Sequence, residues 1–146
     1  MATGGVELAA GAAPNNWILI VDDEFDITSI FRQGLMKKGF SAFGFTDPFL
    51  ALEHVQLNQT KYELVISDLR MPGMNGYEFV SKVKEIRPEI KVFLMTAFEI
   101  NDTEFKRLLP KVKMEGFMQK PISLANLTST VSKYIHHVPP RKWLHE

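Results

Sequence analysis

The sequence predicts an α/β protein whose parallel sheet is covered by helices on both faces. Short apolar runs recur along the chain without polar alternation, which is typical of strands buried on both faces. Segments with helical spacing of apolar residues lie between these runs, and a regular alternation of strands and helices favours a parallel sheet. The predicted strands are Trp17 to Val21, Ser41 to Phe45, Leu64 to Ile66, Val92 to Met95 and Gly116 to Met118.

The first and last predicted helices carry the clearest signals. Between Ile27 and Leu35 the apolar residues follow i, i+3, i+4, i+7 and i+8 spacing, and Lys37, Lys38 and Gly39 close the segment. Ser123 is a suitable N-cap for the last helix, which follows Pro121. Its apolar stripe consists of Leu124, Leu127, Val131, Tyr134 and Ile135.

Three further helices are predicted between these two. One runs from about Pro48, a favourable first helical residue, to Asn58. Another runs from about Tyr77 to Ile86 and stops before Pro88. A weaker one lies near Asp102 to Leu109, where the apolar stripe is poor and Pro110 ends the segment.

The chain of 146 residues has room for one domain of ordinary size. Residues 1–16 are rich in glycine and alanine and predict a flexible leader. We expect the domain to span residues 17–137, and residues 138–146 to form a tail because Pro139 and Pro140 prevent further helix.

Composition excludes several classes of function. The 17 basic and 17 acidic residues give no net charge, so the sequence lacks the basic character of a nucleic-acid-binding protein. It contains no cysteine, which excludes disulfides, thiolate metal sites and cysteine nucleophiles. Its apolar runs are far shorter than the roughly 20 residues that span a bilayer. We therefore expect a cytoplasmic protein that contacts neither membrane nor nucleic acid.

Polar side chains stand where the predicted strands end. In "LVISDLRMPGMNG", Asp68 follows a buried strand and precedes a turn-forming loop. Asp22 and Asp23 follow the first strand, Thr96 the fourth and Lys120 the fifth. Ligands of open α/β sheets bind outside the carboxyl ends of the strands, so these groups are predicted to converge on one crevice.

Grouped carboxylates repel one another unless a cation lies among them. Mg²⁺ prefers oxygen ligands in octahedral geometry, so a magnesium site is predicted at this edge. Local interpretations stay open for each residue alone. Asp68 could cap a turn, and Asp22 and Asp23 could cap the first helix. Thr96 could be a strand-end hydroxyl and Lys120 a solvated side chain.

Four stretches, "ILIVDDE", "LVISDLRMPGMNGYEF", "VFLMTA" and "GFMQKP", closely resemble the receiver domains of two-component response regulators. The resemblance extends over roughly Trp17 to His137, with the motifs in the family's order. It implies a doubly wound, five-stranded parallel sheet of flavodoxin-like order 2-1-3-4-5.

By this resemblance Asp68 is the phosphoryl acceptor. The donor would be a phosphohistidine of a histidine kinase or phosphotransfer protein, or a small phosphodonor. Asp23, Asp68 and the backbone carbonyl of Arg70 would bind Mg²⁺ directly, and Asp22 through water. Lys120 would neutralise charge on the phosphoryl group during transfer.

The resemblance also implies a switch. Thr96 would receive a phosphoryl oxygen, and Phe117 would follow its inward movement by packing, since phenylalanine has no hydroxyl. The output surface would comprise the fourth and fifth predicted helices and the fifth strand. Pro121 is a candidate for a cis peptide bond, and Arg70 and Phe98 would tune hydrolysis of the aspartyl phosphate.

The expected function is thus a single-domain phosphoacceptor switch, monomeric or dimerising on phosphorylation, that signals to a downstream protein. Three alternatives stay open. The chain could be a pseudo-receiver that acts without phosphorylation, or a receiver excised from a larger regulator or hybrid kinase. A haloacid-dehalogenase-like phosphatase is disfavoured, because its nucleophile would follow the first strand with a second acid two residues later, where this chain has adjacent Asp22 and Asp23. We expect no enzymatic turnover beyond the protein's own phosphorylation and dephosphorylation.

The four histidines are interpreted as surface residues: His54, His136, His137 and His145.

Overall fold

A computed structural model describes residues 16–97 and 113–135. Within these ranges one five-stranded parallel sheet has the order β2-β1-β3-β4-β5, which confirms the predicted class and strand order. The strands are β1 (Trp17–Val21), β2 (Ser41–Phe45), β3 (Tyr62–Asp68), β4 (Lys91–Thr96) and β5 (Gly116–Gln119).

Strand β3 is longer than its apolar run predicts. The prediction of Leu64 to Ile66 missed two residues at each end, because these residues are polar or aromatic. Glu63 is accommodated by an ion pair with Lys91 on the neighbouring strand, 3.3 Å away. At the other end Asp68 still pairs with Met95 of β4, so the sheet continues to the acid itself.

The described helices begin close to their predicted positions. They are α1 (Phe25–Lys37), α2 (Pro48–Leu57), α3 (Gly76–Ile86) and α4 (Leu124–Tyr134). The side chain of Asp47 caps α2 by accepting from the amide of Phe49, and the predicted N-cap Ser123 accepts from the amide of Asn126. Helix α3 begins one residue before the prediction because Asn75 and Glu78 form a reciprocal capping box.

Helices cover both faces of the sheet. On one face α2 and α3 bury residues such as Val55 and Phe79 against Leu19 and Val65. On the other face α1 and α4 pack against a second cluster that includes Ile20. The central strands are therefore buried on both sides, which explains their continuous apolar runs.

A guanidinium group links the end of α3 to the start of β3. Arg87, which follows α3, donates from Nη1 to the carbonyl oxygens of Gln59 at 3.0 Å and Tyr62 at 2.8 Å. These contacts anchor the turn between α2 and β3 to the end of α3.

We expect Arg87→Ala to lower the free energy of unfolding by about 1–3 kcal/mol, because two carbonyl groups lose a charged donor. Urea denaturation followed by circular dichroism measures this change. Glu89→Ala is the matched control, since the Arg87–Glu89 ion pair spans 3.7 Å and Glu89 is 71% exposed. Its effect should stay within about 0.5 kcal/mol. Equal losses in both variants would contradict the assignment.

His54, interpreted from the sequence as a surface residue, is half-buried rather than exposed. Its Nδ1 lies 2.7 Å from the hydroxyl of fully buried Tyr62, and its ring packs among Trp17, Phe43 and Phe45. Burial lowers the pKa of His54 and raises that of Tyr62. The pair links α2 to β3, a contact that no local spacing indicates.

Several predictions fall outside the described residues. These are the leader over residues 1–15, the weak helix near Asp102 to Leu109, Phe98, and the tail with the end of the predicted domain over residues 136–146.

Candidate functional site

The carboxyl ends of four strands bring the predicted polar residues to one edge of the sheet. Asp22 and Asp23 directly follow β1, Asp68 ends β3, Thr96 ends β4, and Lys120 directly follows β5. The register brings Asp22 and Asp68 side by side, because Val21 of β1 stands opposite Ser67 of β3 and an aspartate follows each of them.

Lys120 bridges two of the acids. Its Nζ lies 2.8 Å from Oδ2 of Asp22 and 3.2 Å from Oδ1 of Asp68. Asp22 is fully buried and Asp68 is 7% exposed, whereas Asp23 is exposed. Buried carboxylates need an opposite charge to remain ionised at low energetic cost, and Lys120 supplies one. The interpretation of Lys120 as a solvated side chain is therefore wrong.

The pocket changes the acidity of Asp68. The pKa of its carboxyl group is raised from 3.8 to about 6: burial is the largest cause, the nearby charge of Asp22 also raises the pKa, and Lys120 opposes both effects. Burial alone would lower the pKa of Lys120, but its hydrogen bond and charge interaction with Asp22, together with Asp68, raise the pKa overall. At neutral pH the pocket therefore holds an ammonium group and an ionised Asp68.

The donor set fits a hard divalent cation. Asp22, Asp23 and Asp68 each offer a carboxylate oxygen, and these oxygens lie within 4.8 Å of one another. Three carboxylates facing one ammonium leave an excess of negative charge, and all the ligand atoms are oxygens. This is the chemistry that Mg²⁺ requires.

Helix capping does not explain the acid pair. The N-cap of α1 is Glu24, and it makes no side-chain cap bond. Asp22 instead accepts a hydrogen bond from the amide of Glu24 at 2.9 Å, which orients its carboxylate within the turn while its other oxygen contacts Lys120. Asp22 thus shapes the loop and contributes to the pocket at the same time.

The loop between β3 and α3 directly follows Asp68. Its exposed Arg70 lies two residues after Asp68, while Met71 and Met74 are buried against the face that carries α2 and α3. Gly73 adopts a φ of +84°, a conformation that favours glycine. The predicted metal ligation by the carbonyl of Arg70 stays a prediction.

The two candidate switch residues sit on neighbouring strands. Thr96 is 1% exposed, and its carbonyl accepts from the amide of Lys120 at 2.7 Å. Phe117 stands opposite Leu94 on β4, is half-buried, and packs at the margin of the α2 and α3 face. The Lys120–Pro121 peptide bond is cis, as expected.

Sequence reasoning missed one residue of this site, Gly76. Its amide donates to the carbonyl of Leu69 at 2.7 Å, and its Cα lies against the backbone of Asp68 and Leu69. A glycine directly after a helix N-cap was the available signal, but turn chemistry explained it equally well.

The strand order and the acid pocket at the carboxyl edge place the chain among flavodoxin-like doubly wound proteins that use this edge as a site. Residues 18–132 match the family described as "Response regulator receiver domain". The chain belongs to this family and is the receiver domain of a two-component response regulator.

The chain spans almost the whole length of one similar protein and about a quarter of another. Sporulation initiation phosphotransferase F of Bacillus subtilis is 30% identical over 83% of this chain and 94% of its own length. Transcriptional regulatory protein ZraR of Escherichia coli K12 is 30% identical over 82% of this chain, which spans 26% of that protein. Among solved structures, chemotaxis protein CheY4 of Vibrio cholerae has a TM-score of 0.73 and 25% identity, covering 82% of this chain and 98% of that one.

Family membership brings two general properties. Receiver domains interact with histidine kinases or phosphotransfer proteins, and they typically bind Mg²⁺ at an acidic pocket. Across residues 16–97 and 113–135, none of the helices is both long and apolar enough to cross a bilayer.

Proposed function

We propose that this chain is a phosphoacceptor switch that takes a phosphoryl group on Asp68 from a histidine kinase or phosphotransfer protein. The observation that carries the proposal is the placement of Lys120 between Asp22 and Asp68, at 2.8 and 3.2 Å. A purely structural ion pair would need one acid, whereas this ammonium group faces two, with a third beside them.

The transfer exchanges one bond for another. An oxygen of the Asp68 carboxylate attacks the phosphorus and forms an O–P bond, while the P–N bond to the donor imidazole breaks and its electron pair stays on that nitrogen. Asp68 is ionised for this step at neutral pH, since the pKa of its carboxyl group is about 6. Lys120 neutralises charge on the phosphoryl oxygens, and the Thr96 hydroxyl donates to one of them.

Asp22, Asp23 and Asp68, with the carbonyl of Arg70, are the residues proposed to hold Mg²⁺. Bound there, the ion would offset the repulsion between the attacking carboxylate and the anionic phosphoryl group. The fit of three clustered carboxylates to a hard cation supports this assignment.

The proposed output runs from Thr96 to the fifth strand. Inward movement of Thr96 would make room for Phe117, which is half-buried on the neighbouring strand β5, opposite Leu94. The surface formed by β5, α4 and the helix predicted near residues 102–109 would then differ between the two states and bind a downstream protein. Tuning of phosphoryl lifetime by Arg70 and Phe98 stays a prediction.

Three further points belong to the same proposal. The chain acts as a single-domain regulator, it turns over no substrate besides its own phosphoryl group, and it works in the cytoplasm as a monomer or a phosphorylation-dependent dimer. The 94% coverage of Sporulation initiation phosphotransferase F supports the single-domain form. The 26% coverage of ZraR is what the alternative, a receiver within a larger protein, predicts.

The test is the intact mass of the purified protein after incubation with Mg²⁺ and a small acyl phosphate. We expect the parent protein to gain one phosphoryl group, and Asp68→Asn to gain none. EDTA should abolish the gain. Asp47→Asn is a matched control, because Asp47 caps α2 and lies outside the acid cluster. It should be phosphorylated like the parent.

Other results separate the alternatives. A phosphoryl group on Asp68→Asn would locate the acceptor elsewhere. A parent protein that binds Mg²⁺ but accepts phosphate only from a protein donor still fits the proposal. A protein that neither binds Mg²⁺ nor accepts a phosphoryl group is a pseudo-receiver. Release of many equivalents of phosphate from an ester would instead identify a phosphatase.

A further inference from the structure

The backbone that carries the acceptor is held from several sides. The peptide group between Asp68 and Leu69 ends β3. The amide of Leu69 donates to the carbonyl of Met95 at 2.9 Å, and the hydroxyl of buried Ser67 donates to the carbonyl of Asp68 at 2.9 Å. The carbonyl of Leu69 accepts from the amide of Gly76 at 2.7 Å, which closes the loop between β3 and α3.

Gly76 makes this closure possible because it has no side chain. A Cβ at position 76 would collide with the carbonyl oxygen of Asp68 and lie 2.8 Å from the Cα of Leu69, whereas real Cβ contacts are essentially never shorter than 3.0 Å. Both neighbours are backbone atoms at the end of a central strand, so neither can rotate away. Position 76 therefore requires glycine, because there is no room for a Cβ atom.

The other glycine of the loop has a different reason. Gly73 has a φ of +84°, and a Cβ there would meet only the edge of the Phe49 ring, at 3.0 Å. Gly73 is required for its backbone conformation, and it does not touch the Asp68–Leu69 peptide at any atom described above. The two glycines can therefore be compared as matched variants of one loop.

Neither side of the Gly76 contact is free to move. Reciprocal hydrogen bonds between Asn75 and Glu78, at 2.8 and 3.2 Å, fix the start of α3. The other side is the strand that places Oδ1 of Asp68 3.2 Å from Lys120. Any displacement caused by a side chain at position 76 therefore reaches the pocket directly, through the acceptor's own backbone.

We propose that Gly76 is a positioning residue for phosphoryl transfer. Because it has no Cβ, the first turn of α3 can pack directly against the Asp68–Leu69 peptide. This contact holds the acceptor carboxylate, and the Arg70 carbonyl that follows it, in position relative to Lys120. This inference rests on the proposed phosphoacceptor function and assigns part of its geometry to a residue that contacts neither phosphate nor metal.

The test compares Gly76→Ala with Gly73→Ala and the parent protein. Three quantities are measured: thermal stability, the Mg²⁺ dissociation constant by titration calorimetry, and the phosphorylation rate from a small acyl phosphate at saturating Mg²⁺. Trimethylamine N-oxide, which favours the folded state, is added to all three proteins so that each is folded by circular dichroism.

We expect Gly76→Ala to lose about 10- to 100-fold in phosphorylation rate and to bind Mg²⁺ more weakly, as a misplaced reacting group does. Gly73→Ala should lose thermal stability while its rate and Mg²⁺ affinity stay within about threefold of the parent values, because a Cβ at position 73 meets the Phe49 ring and not the Asp68–Leu69 peptide.

A folded Gly76→Ala with parental rate and Mg²⁺ affinity would overturn the positioning role and leave the phosphoacceptor function intact. Equal losses in the two variants would overturn it as well. If the parent protein accepts no phosphoryl group from either a small acyl phosphate or a protein donor, the phosphoacceptor function fails. The Mg²⁺ affinities then still decide the role of Gly76, since an unchanged affinity in Gly76→Ala overturns it.

Discussion

Replacement of Lys120 by alanine should slow phosphorylation of Asp68 from a small acyl phosphate by about 10²- to 10³-fold, the usual effect of removing a preorganised charge from a transition state. The ammonium group of Lys120 lies 3.2 Å from the attacking carboxylate, where negative charge accumulates on the phosphoryl oxygens. Single-turnover kinetics followed by intact mass measure the rate.

Two variants control for charge and for folding. Lys91→Ala removes a partly exposed lysine at the start of β4 that pairs with Glu63 of β3 at 3.3 Å, and it should react at the parental rate. Lys120→Arg keeps the charge but replaces a compact ammonium with a larger planar group, so only partial recovery is expected. A Lys120→Ala rate within twofold of the parent would remove Lys120 from the mechanism.

Lys120→Ala also leaves the fully buried carboxylate of Asp22 without its cation. We expect this loss to destabilise the metal-free protein by about 2–3 kcal/mol, less than for a wholly buried pair because Lys120 is 20% exposed. The kinetic comparison therefore belongs at a temperature where both proteins are folded.

Replacement of Asp68 by asparagine should stabilise the metal-free protein, although the same change abolishes phosphorylation. Burial and the charge of Asp22 raise the pKa of the Asp68 carboxyl group from 3.8 to about 6 in the folded state. At neutral pH the folded protein therefore holds an unfavourable carboxylate, which asparagine removes. We expect the free energy of unfolding in EDTA to rise by about 1–3 kcal/mol. The upper value corresponds to a difference of about two in the pKa of Asp68 between the folded and unfolded states.

The pH dependence has a definite sign. Between pH 3.8 and about 6 the folded parent binds the Asp68 proton more tightly than the unfolded chain does. The contribution of Asp68 to stability therefore falls as pH rises through this window and is constant above it. The advantage of Asp68→Asn should be near zero at pH 4 and largest above pH 6.

Urea denaturation at several pH values, in EDTA, measures this difference. Asp23→Asn is the matched control, because Asp23 is exposed and its replacement should have a smaller effect. Mg²⁺ should reverse the order by stabilising the parent more than Asp68→Asn. A parent protein that is more stable than Asp68→Asn at pH 7.5 without metal would contradict the charge balance described for the pocket.

Local sequence determined most of the fold because the relevant signals act over a few residues. The unbroken apolar runs predicted β1 and β4 to within a residue at each end, since a strand buried on both faces needs apolar side chains at every position. The bounds of β2 were also predicted, although it is an edge strand whose Ser41 is exposed. The N-cap Ser123 and the helix-starting Pro48 were confirmed for the same reason. Strand β3 was underestimated where its ends turn polar.

Local sequence signals predicted only part of the candidate site. The positions of Asp22, Asp68, Thr96 and Lys120 at strand ends followed from the sequence, but the sheet order that makes these ends neighbours came from the family resemblance. The contact between Lys120 and Asp22 joins residues 98 positions apart. No periodicity reports a contact at that separation.

The sequence by itself determined which residues could do the chemistry and that they would stand at one edge of a parallel sheet. Only the tertiary structure decided which residues meet. Lys120 lies between two acids, half-buried His54 contacts the hydroxyl of Tyr62, and Gly76 lets a helix pack against the acceptor peptide. The physical reason is that residue type and spacing fix local backbone conformation, whereas burial, charge pairing and close approach depend on what the rest of the chain brings to the same place.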